Sequence, residues 1–539
     1  MGTVRGGGGP TRRTVLFTAL ATFAGVATAR ALGVRDLATG FAQRITQSAP
    51  TSMDPMDDPM GMPADPVEAA ESEIIPAAGS TPGMSAAGAP SALRPSAAPA
   101  RTGSPAPSAA PAAGFPDPGV VPPKVALGLD WVSPLDGEKA RVAHLLRRAT
   151  FGATDAELDR AWSDGYASTV DRLVETPAAE PPPFAAAEAT PPMPVRVNEL
   201  QSWWVDWMLK TPTPFAEAMT LFWHGHFTSD YRKGQPAPIY WQNRTWRKFA
   251  FGTLPDMVFQ VTTDHAMLRY LDLATSTGRA PNENYARELM ELFTMGVDTY
   301  TEDDVRSAAK ALAGWRLPRA TEDPRKGVFD QARAYTGPVT FLGKTGPLDT
   351  KGVIDRIAAQ GSTATYIASR VVDHFVSPLA SDAYVARMAD VFRRSAYDVK
   401  ALMRAIFLSP EFTSSDSYRA LVKGPTELMV SAAKAIGTQS VASAIARSGT
   451  GMGQNLFDPP SVGGWPDSAA WVSSNTMLAR ANYVSNVLNA TRALPTAMNA
   501  VQRQLDGVLG PETARALSVA PDERGRWFVI LASPEFQLK

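Results

Sequence analysis

Two histidines separated by one glycine are the first candidates for chemistry in this sequence. His224 and His226 lie in the stretch FWHGHF and are two of only five histidines in 539 residues. If the apolar helical pattern before them continues through Gly225, the two side chains point about 200° apart and cannot bind one ion. If Gly225 ends the helix, an extended turn lets both imidazoles converge on a divalent metal ion such as zinc. The sequence leaves both geometries open, and simple packing in the core is the alternative to a functional pair.

A second group of titratable side chains lies in the stretch NENYARELMEL. Helical spacing puts Glu283, Arg287 and Glu291 on one face of a helix, with Glu288 beside them. One interpretation is a helix held by ion pairs. The other is a buried carboxylate cluster like those of helical metal-binding bundles. In that case Glu288 is a metal ligand together with the two histidines, and Arg287, Glu288 and Glu291 are candidate catalytic residues.

Tryptophans form the third candidate. The stretches SWWVDWML and GGWPDSAAW contain five of the twelve tryptophans: Trp203, Trp204, Trp207, Trp465 and Trp471. Exposed tryptophan rings in an exported protein are suited to stacking on sugars or peptides, but a large helical core also uses them. The paired glycines of GGWP indicate a constrained turn near the surface.

The overall composition excludes several classes of function. The formal net charge is −1, so the chain has neither the basic footprint of a nucleic-acid-binding protein nor a polybasic patch for an anionic membrane. There are no cysteines, which excludes disulfides, thiolate metal sites and cysteine nucleophiles.

The first 31 residues are typical of a signal peptide. The stretch TRRTVLFTALATFAGVATARA has paired arginines, Arg12 and Arg13, before a short apolar segment that ends in small residues. This pattern resembles a twin-arginine signal, with cleavage after Ala29 or Ala31. We therefore expect export to the cell envelope or the extracellular space. The apolar segment is poor as a membrane span, so stable insertion is not expected after cleavage, and an uncleaved anchor is the alternative.

The remainder divides into a linker and a helical part. Residues 32–134 are rich in Ala, Pro, Ser and Met without apolar periodicity, which predicts a disordered tether. Residues 135–539 carry helix signals, among them capping pairs that begin at Thr154 and Thr301. The stretch VTFLGKTG predicts one short hairpin. The expected fold is therefore mostly α, a large single multi-helix domain with minor β-hairpin content behind a disordered tether.

Several stretches in a fixed order resemble a known bacterial family. HLLRRATFGAT, FWHGHF, PNENYARELMELFTMGV, YTEDDVRSAAKALAGW, HFVSP and MGQNLFDPPSVGGWP are similar to the family called DUF1800, over residues 144 to 536. The resemblance implies an exported protein, of a family often encoded beside a sulfatase-like family, with no established reaction. The family commonly has a His-Asp pair and a lysine where this chain has Ala334, Tyr335 and Val339. If that pair is catalytic in relatives, this chain is weakened or inactive.

Two functions follow from these observations. The first is a binding or scaffolding protein of the cell envelope that acts with a sulfatase-like partner. The second is a metal-dependent hydrolase that uses His224, His226 and carboxylates of the helix containing Glu288.

The paired arginines provide a direct test of export. Replacing Arg12 and Arg13 with lysine keeps the charge but changes the shape of the cationic groups, so the protein should remain in the cytoplasm. Arg5→Lys, outside the pair, should leave export unchanged in the same fractionation. Normal secretion of the double variant would contradict the twin-arginine interpretation.

Overall fold

The computed structural model describes residues 131–190, 193–466 and 468–539. The predicted signal peptide and residues 32–130 of the predicted linker lie outside the described residues. Within the described residues the chain forms 23 α-helices and four short strands. The helices are α1 (Glu138–Ala149), α2 (Asp155–Asp164), α3 (Tyr166–Glu175), α4 (Ala185–Glu188), α5 (Val197–Lys210), α6 (Pro214–His226), α7 (Tyr231–Gly234), α8 (Pro236–Phe249), α9 (Leu254–Thr263), α10 (His265–Tyr270), α11 (Asn284–Glu291), α12 (Glu302–Leu312), α13 (Thr350–Ala358), α14 (Gly361–Phe375), α15 (Asp382–Arg394), α16 (Val399–Phe407), α17 (Pro425–Ala435), α18 (Ala442–Gly451), α19 (Ser474–Ala490), α20 (Ala497–Gln504), α21 (Pro511–Ser518), α22 (Glu523–Ala532) and α23 (Pro534–Gln537).

The strands form two small antiparallel sheets. β1 (Trp315–Arg316) pairs with β2 (Val328–Phe329), and β3 (Val339–Phe341) pairs with β4 (Lys344–Gly346). The turn between β3 and β4 has positive φ at both central residues, Leu342 and Gly343, as a two-residue type I′ hairpin turn requires. The predicted hairpin and the predicted mostly-α fold are both confirmed. Among the described residues, no helix combines the length and apolar composition that crossing a membrane requires.

The predicted helix starts are also confirmed. Thr154 begins α2 with a full capping box, because its hydroxyl accepts the Glu157 N–H at 3.3 Å and its own N–H donates to Glu157 Oε2 at 2.7 Å. Thr301 begins α12 in the same way with Asp304. These local contacts satisfy donors that the first helical turn leaves without backbone partners.

The central helix is α6, which is buried on every side. Its residues Phe215, Met219 and Trp223 belong to a large apolar cluster made mainly by residues 142–412. Ala218 and Leu221 belong to a second cluster that includes α5, α17, α19 and α22. The helix therefore joins the two halves of the core, and its direction is set by packing against both.

One acidic residue lies inside this enclosed helix. Glu217 has 1% of its surface exposed and receives two hydrogen bonds from Arg247 of α8, at 2.8 Å from Nε and 2.6 Å from Nη2. The indole N–H of Trp204 in α5 also donates to Glu217. A buried carboxylate is very costly unless it is paired and hydrogen-bonded, and this arrangement meets both requirements.

Residues 537–539 are held by an extended segment before α17. The N–H of Lys539 donates to the Leu421 carbonyl oxygen at 2.8 Å, and the N–H of Lys423 donates to the Gln537 carbonyl oxygen at 2.9 Å. This pairing places the Lys539 side chain beside the beginning of α17.

The buried pair of Glu217 and Arg247 can be tested by a double-mutant cycle. Glu217→Leu and Arg247→Met should each destabilise the protein by about 3–5 kcal/mol, because each leaves one buried charge without its partner. The double variant Glu217→Leu with Arg247→Met should recover part of this loss, as measured by denaturant unfolding.

The exposed pair of Arg306 and Asp303 is the control. Its side chains have 52% and 88% of their surface exposed, so Arg306→Met should change stability by less than about 1 kcal/mol. Single variants at the buried pair that match this control would contradict the assigned role.

Candidate functional site

A pocket lies at the carboxyl end of α6, and we call it the α6 pocket. Its cavity volume is about 90 Å³, several times the roughly 10–15 Å³ that one ordered water needs. It lies where α6, α14, α17 and the GGWP turn meet the segment around Lys539. The lining residues are Leu221, Phe222, Gly225, His226, Arg370, Asp373, His374, Leu421, Val422, Gly424, Glu427, Gln454, Trp465, Pro466, Ser468, Trp471 and Lys539.

The helix continues through Gly225, which decides between the two geometries of the histidine pair. α6 ends at His226, and the N–H of Phe227 still donates to the Trp223 carbonyl oxygen at 2.7 Å. Side chains two positions apart on such a helix, as His224 and His226 are, point about 200° apart. His224 and His226 consequently have different surroundings.

His224 is packed against aromatic rings and positions a loop. Its Nε2 accepts the N–H of Phe457 at 3.3 Å, and its ring centroid lies 5.5 Å from Trp204 and 5.2 Å from Trp465. Burial lowers the pKa of His224 to about 3, so the imidazole is neutral at physiological pH. The buried N–H of Phe457 needs an acceptor, and a neutral imidazole provides one.

His226 lines the α6 pocket. Its Nε2 lies 3.0 Å from the Phe293 carbonyl oxygen. A carbonyl can only accept, so this nitrogen carries the proton. Burial and the nearby guanidinium of Arg370 lower the pKa of His226 to about 3. Within the pocket it is a neutral imidazole oriented by the backbone after α11.

The GGWP turn reaches the pocket through a close contact with α6. Gly464 has φ +87°, and a Cβ added there would lie 2.3 Å from the Gly225 carbonyl oxygen. By contrast, a Cβ added at Gly225 would meet only Trp465, at an ordinary 3.8 Å. The turn therefore requires glycine at position 464, and this contact seats Trp465 beside the helix.

The polar wall opposite α6 is built by the start of α17. Glu427 accepts the N–H of Gly424 at 2.8 Å and also accepts a hydrogen bond from the ammonium of Lys539. Burial alone would raise the pKa of Glu427, but Lys539 and the N–H of Gly424 hold that pKa below its usual value. Glu427 is consequently a carboxylate at neutral pH.

A second imidazole completes this wall. His374, near the end of α14, is half-buried beside the Lys539 ammonium and the Glu427 carboxylate. Burial and the charge of Lys539 lower the pKa of His374 to about 3, against the opposing effect of Glu427. A general acid or base works best with a pKa near the operating pH, so neither pocket histidine is suited to proton transfer near pH 7.

The acidic residues of α11 have other partners. Arg287 donates two hydrogen bonds of 2.7 Å to Glu302, and Glu291 accepts the hydroxyl of Tyr300 at 3.0 Å. Burial and the neighbouring charge of Glu291 raise the pKa of Glu288 to about 7. Arg287 therefore forms an ion pair, as the first interpretation of this helix predicts. None of these residues lines the α6 pocket.

The structure does not bring His224, His226 and Glu288 together as one ligand set. Within residues 131–190, 193–466 and 468–539, no group of three His, Asp or Glu side chains is arranged to hold a metal ion. The divalent metal remains a prediction from the sequence. Ala334 and Tyr335 are likewise not among the residues that line the pocket.

The tryptophans divide between core and pocket. Trp204 is fully buried, whereas Trp203 and Trp207 are half-buried on α5. Trp465 and Trp471 line the α6 pocket. Two of the five tryptophans singled out in the sequence, Trp465 and Trp471, therefore belong to the pocket.

Sequence reasoning missed most of the polar residues of the pocket. The missed residues are Arg370, Asp373, His374, Glu427, Gln454 and Lys539. Two local signals could have found some of them. HFVSP contains one of the five histidines, and the spacing of Gly424 and Glu427 is that of a capping box.

Comparison with known proteins gives one match. Residues 144–538 match a family described as "Protein of unknown function (DUF1800)". No curated protein and no solved structure has a significant match to the chain.

The contact between the two glycines can be tested with a matched pair of variants. Gly464→Ala should lower stability by at least about 1–3 kcal/mol, because alanine is strained at positive φ and its Cβ meets the Gly225 carbonyl. Gly225→Ala should be neutral or stabilising by up to about 1 kcal/mol, since alanine favours a helix. Thermal unfolding checks both, and equal effects would contradict the assigned contact.

Proposed function

This chain belongs to the DUF1800 family, and we propose that it is an exported binding protein whose small polar ligand occupies the α6 pocket. The observation that carries the proposal is the composition of the pocket. Aromatic rings and a few convergent charged groups surround a preformed cavity, which is the usual character of a small-molecule site.

The aromatic part of the pocket suits the apolar face of a ligand. Phe222, Trp465 and Trp471 line one region, and Trp471 has only 5% of its surface exposed. Such rings offer a large contact area at low cost in conformational entropy. Since the cavity volume is about 90 Å³, it admits a small functional group, and the rings of Trp465 and Trp471 are among the surfaces that such a group would meet.

The polar part favours binding over catalysis. His226 and His374 stay neutral because their pKa values lie near 3, so they can orient a ligand by hydrogen bonds but are poorly matched to moving protons. The residues named for a metal-dependent hydrolase do not share a ligand set. Binding is therefore the function that the pocket supports best.

Export and partnership complete the proposal. The paired arginines at positions 12 and 13 and the apolar segment after them support export by the twin-arginine route. The sulfatase-like partner is an expectation from the family resemblance. A binding protein at the cell envelope would act with it by holding a ligand.

A variant that fills the pocket tests the binding function. Gly424 lines the pocket with φ −58° and ψ 160°, a conformation open to any residue before proline. A Cβ added there would meet no atom closer than 3.5 Å, so Gly424→Val should place two methyl groups in the cavity without strain in the backbone. We expect a panel of sugars, sugar acids and amino acids to contain a binder that raises the melting temperature of the parent protein but not of Gly424→Val.

Gly361→Val is the matched control. Gly361 begins α14, and a Cβ added there would meet no atom within 4 Å, so this variant should bind as the parent does. A panel with no binder, or a binder that Gly424→Val holds equally well, would contradict ligand binding in this pocket.

A further inference from the structure

A groove separate from the α6 pocket lies between α18 and α19, and we call it the α18–α19 groove. Its cavity volume is about 350 Å³, within the range of roughly 300–1,000 Å³ that is typical of small-molecule sites. The lining residues are Val441, Ala444, Arg447, Ser448, Tyr483, Asn486, Val487 and Ala490. None of them lines the α6 pocket, so the groove is a second place where a ligand fits.

The sequence spacing shows how two helices build this groove. The lining positions are 441, 444, 447 and 448 at α18 and 483, 486, 487 and 490 at α19, so each helix contributes one face. Each set spans two helical turns, which makes each wall about 10 Å long. Ala444 and Ala490 contribute only a methyl group each, and this keeps the space between the helices open.

The buried part of the lining is apolar. Val441, Tyr483 and Val487 are buried and belong to one apolar cluster of the core. The Tyr483 hydroxyl already donates to the Met429 carbonyl oxygen at 2.8 Å, so this side chain offers the groove its ring rather than its polar group. Such a surface favours a ligand with an apolar body.

Three polar side chains of the lining are available to a ligand. Within the described part of the chain, the side chains of Arg447, Ser448 and Asn486 form no hydrogen bond or ion pair. Arg447 and Asn486 are exposed, and Ser448 is half-buried. A guanidinium, a hydroxyl and an amide at one groove provide several donors for an oxyanion.

The positive charge of Arg447 is not cancelled by the helices around it. α18 and α19 contain no Asp or Glu. The helices that make the main contacts with these two are α5, α17 and α22. Every carboxylate on those three helices has its own cationic partner: Glu199 pairs with Arg196, Asp206 with Lys210, Glu427 with Lys539 and Glu523 with Arg526. The groove therefore has a free cation beside an apolar surface.

We propose that the α18–α19 groove binds a small amphipathic carboxylate, with the carboxylate beside Arg447 and the apolar body along Tyr483 and Val487. The inference goes beyond the proposed function, because it concerns a second site with its own ligand class. The guanidinium presents a planar set of donors that matches a carboxylate, so the charge selects acids over neutral analogues. Removal of the apolar body from water adds to the affinity.

Octanoate and octanamide test the inference, because they share an apolar chain and differ in charge. In isothermal titration calorimetry with the full-length protein, octanoate should bind at least about tenfold more tightly than octanamide. Arg447→Met keeps an apolar stem but removes the charge, so it should abolish this preference. Ala490→Leu places a larger side chain in the groove and should weaken octanoate binding at least about tenfold. Leucine is a good helix former, so this variant should fold as the parent does.

Two exposed positions on other helices provide matched controls. Arg160→Met in α2 and Ala386→Leu in α15 should bind octanoate as the parent does. Gly424→Val should also leave octanoate binding unchanged, which separates this site from the α6 pocket.

Four results would overturn the inference. These are no binding of octanoate, equal binding of octanoate and octanamide, octanoate binding that survives Arg447→Met and Ala490→Leu, and octanoate binding that Gly424→Val removes. Binding of the protein to vesicles that contain an anionic lipid, without binding of octanoate, would show a membrane-facing surface in place of a small-molecule site.

Discussion

The architecture depends on enclosing a helix that carries a carboxylate. Because α6 has core on every side, Glu217 cannot reach water and must be neutralised where it lies. Arg247 and the indole of Trp204 do so from α8 and α5, and these contacts fix the rotation of α6 about its axis. Once that rotation is fixed, His224 faces the loop at Phe457 and His226 faces the pocket.

Buried cations in this protein serve two different purposes. Arg247 pairs with an acid, and the pair joins helices without leaving net charge. Arg148 and Arg480 instead bind carbonyl oxygens at chain reversals near α14 and α17, so they hold loops together while keeping their charge. The first arrangement stabilises the core. The second fixes backbone segments that adjoin the pocket-lining residues His374 and Gly424.

Local patterns predicted the helices well, but they could not predict the site. The caps at Thr154 and Thr301 and the hairpin at 339–346 were predictable because each depends on residues within a few positions. Whether Gly225 ends a helix was not predictable, since the preference of glycine is about 1 kcal/mol and tertiary packing exceeds it. The pocket brings together residues from 221 to 539 with no common spacing. Arg287 appeared as a possible catalytic group, but its bidentate partner Glu302 lies on another helix.

The contact between His224 and Phe457 has a consequence for the order of folding. It joins groups 233 residues apart, and the neighbouring contact of Gly464 with Gly225 spans a similar distance along the chain. Contacts between such distant positions form late, because closing a large loop costs conformational entropy before any interaction compensates that cost. Most helices depend on local contacts and can therefore form before the cavity exists. A chain stalled at that stage would have nearly full helical content but no α6 pocket, so its circular dichroism would not distinguish it from the fully folded protein.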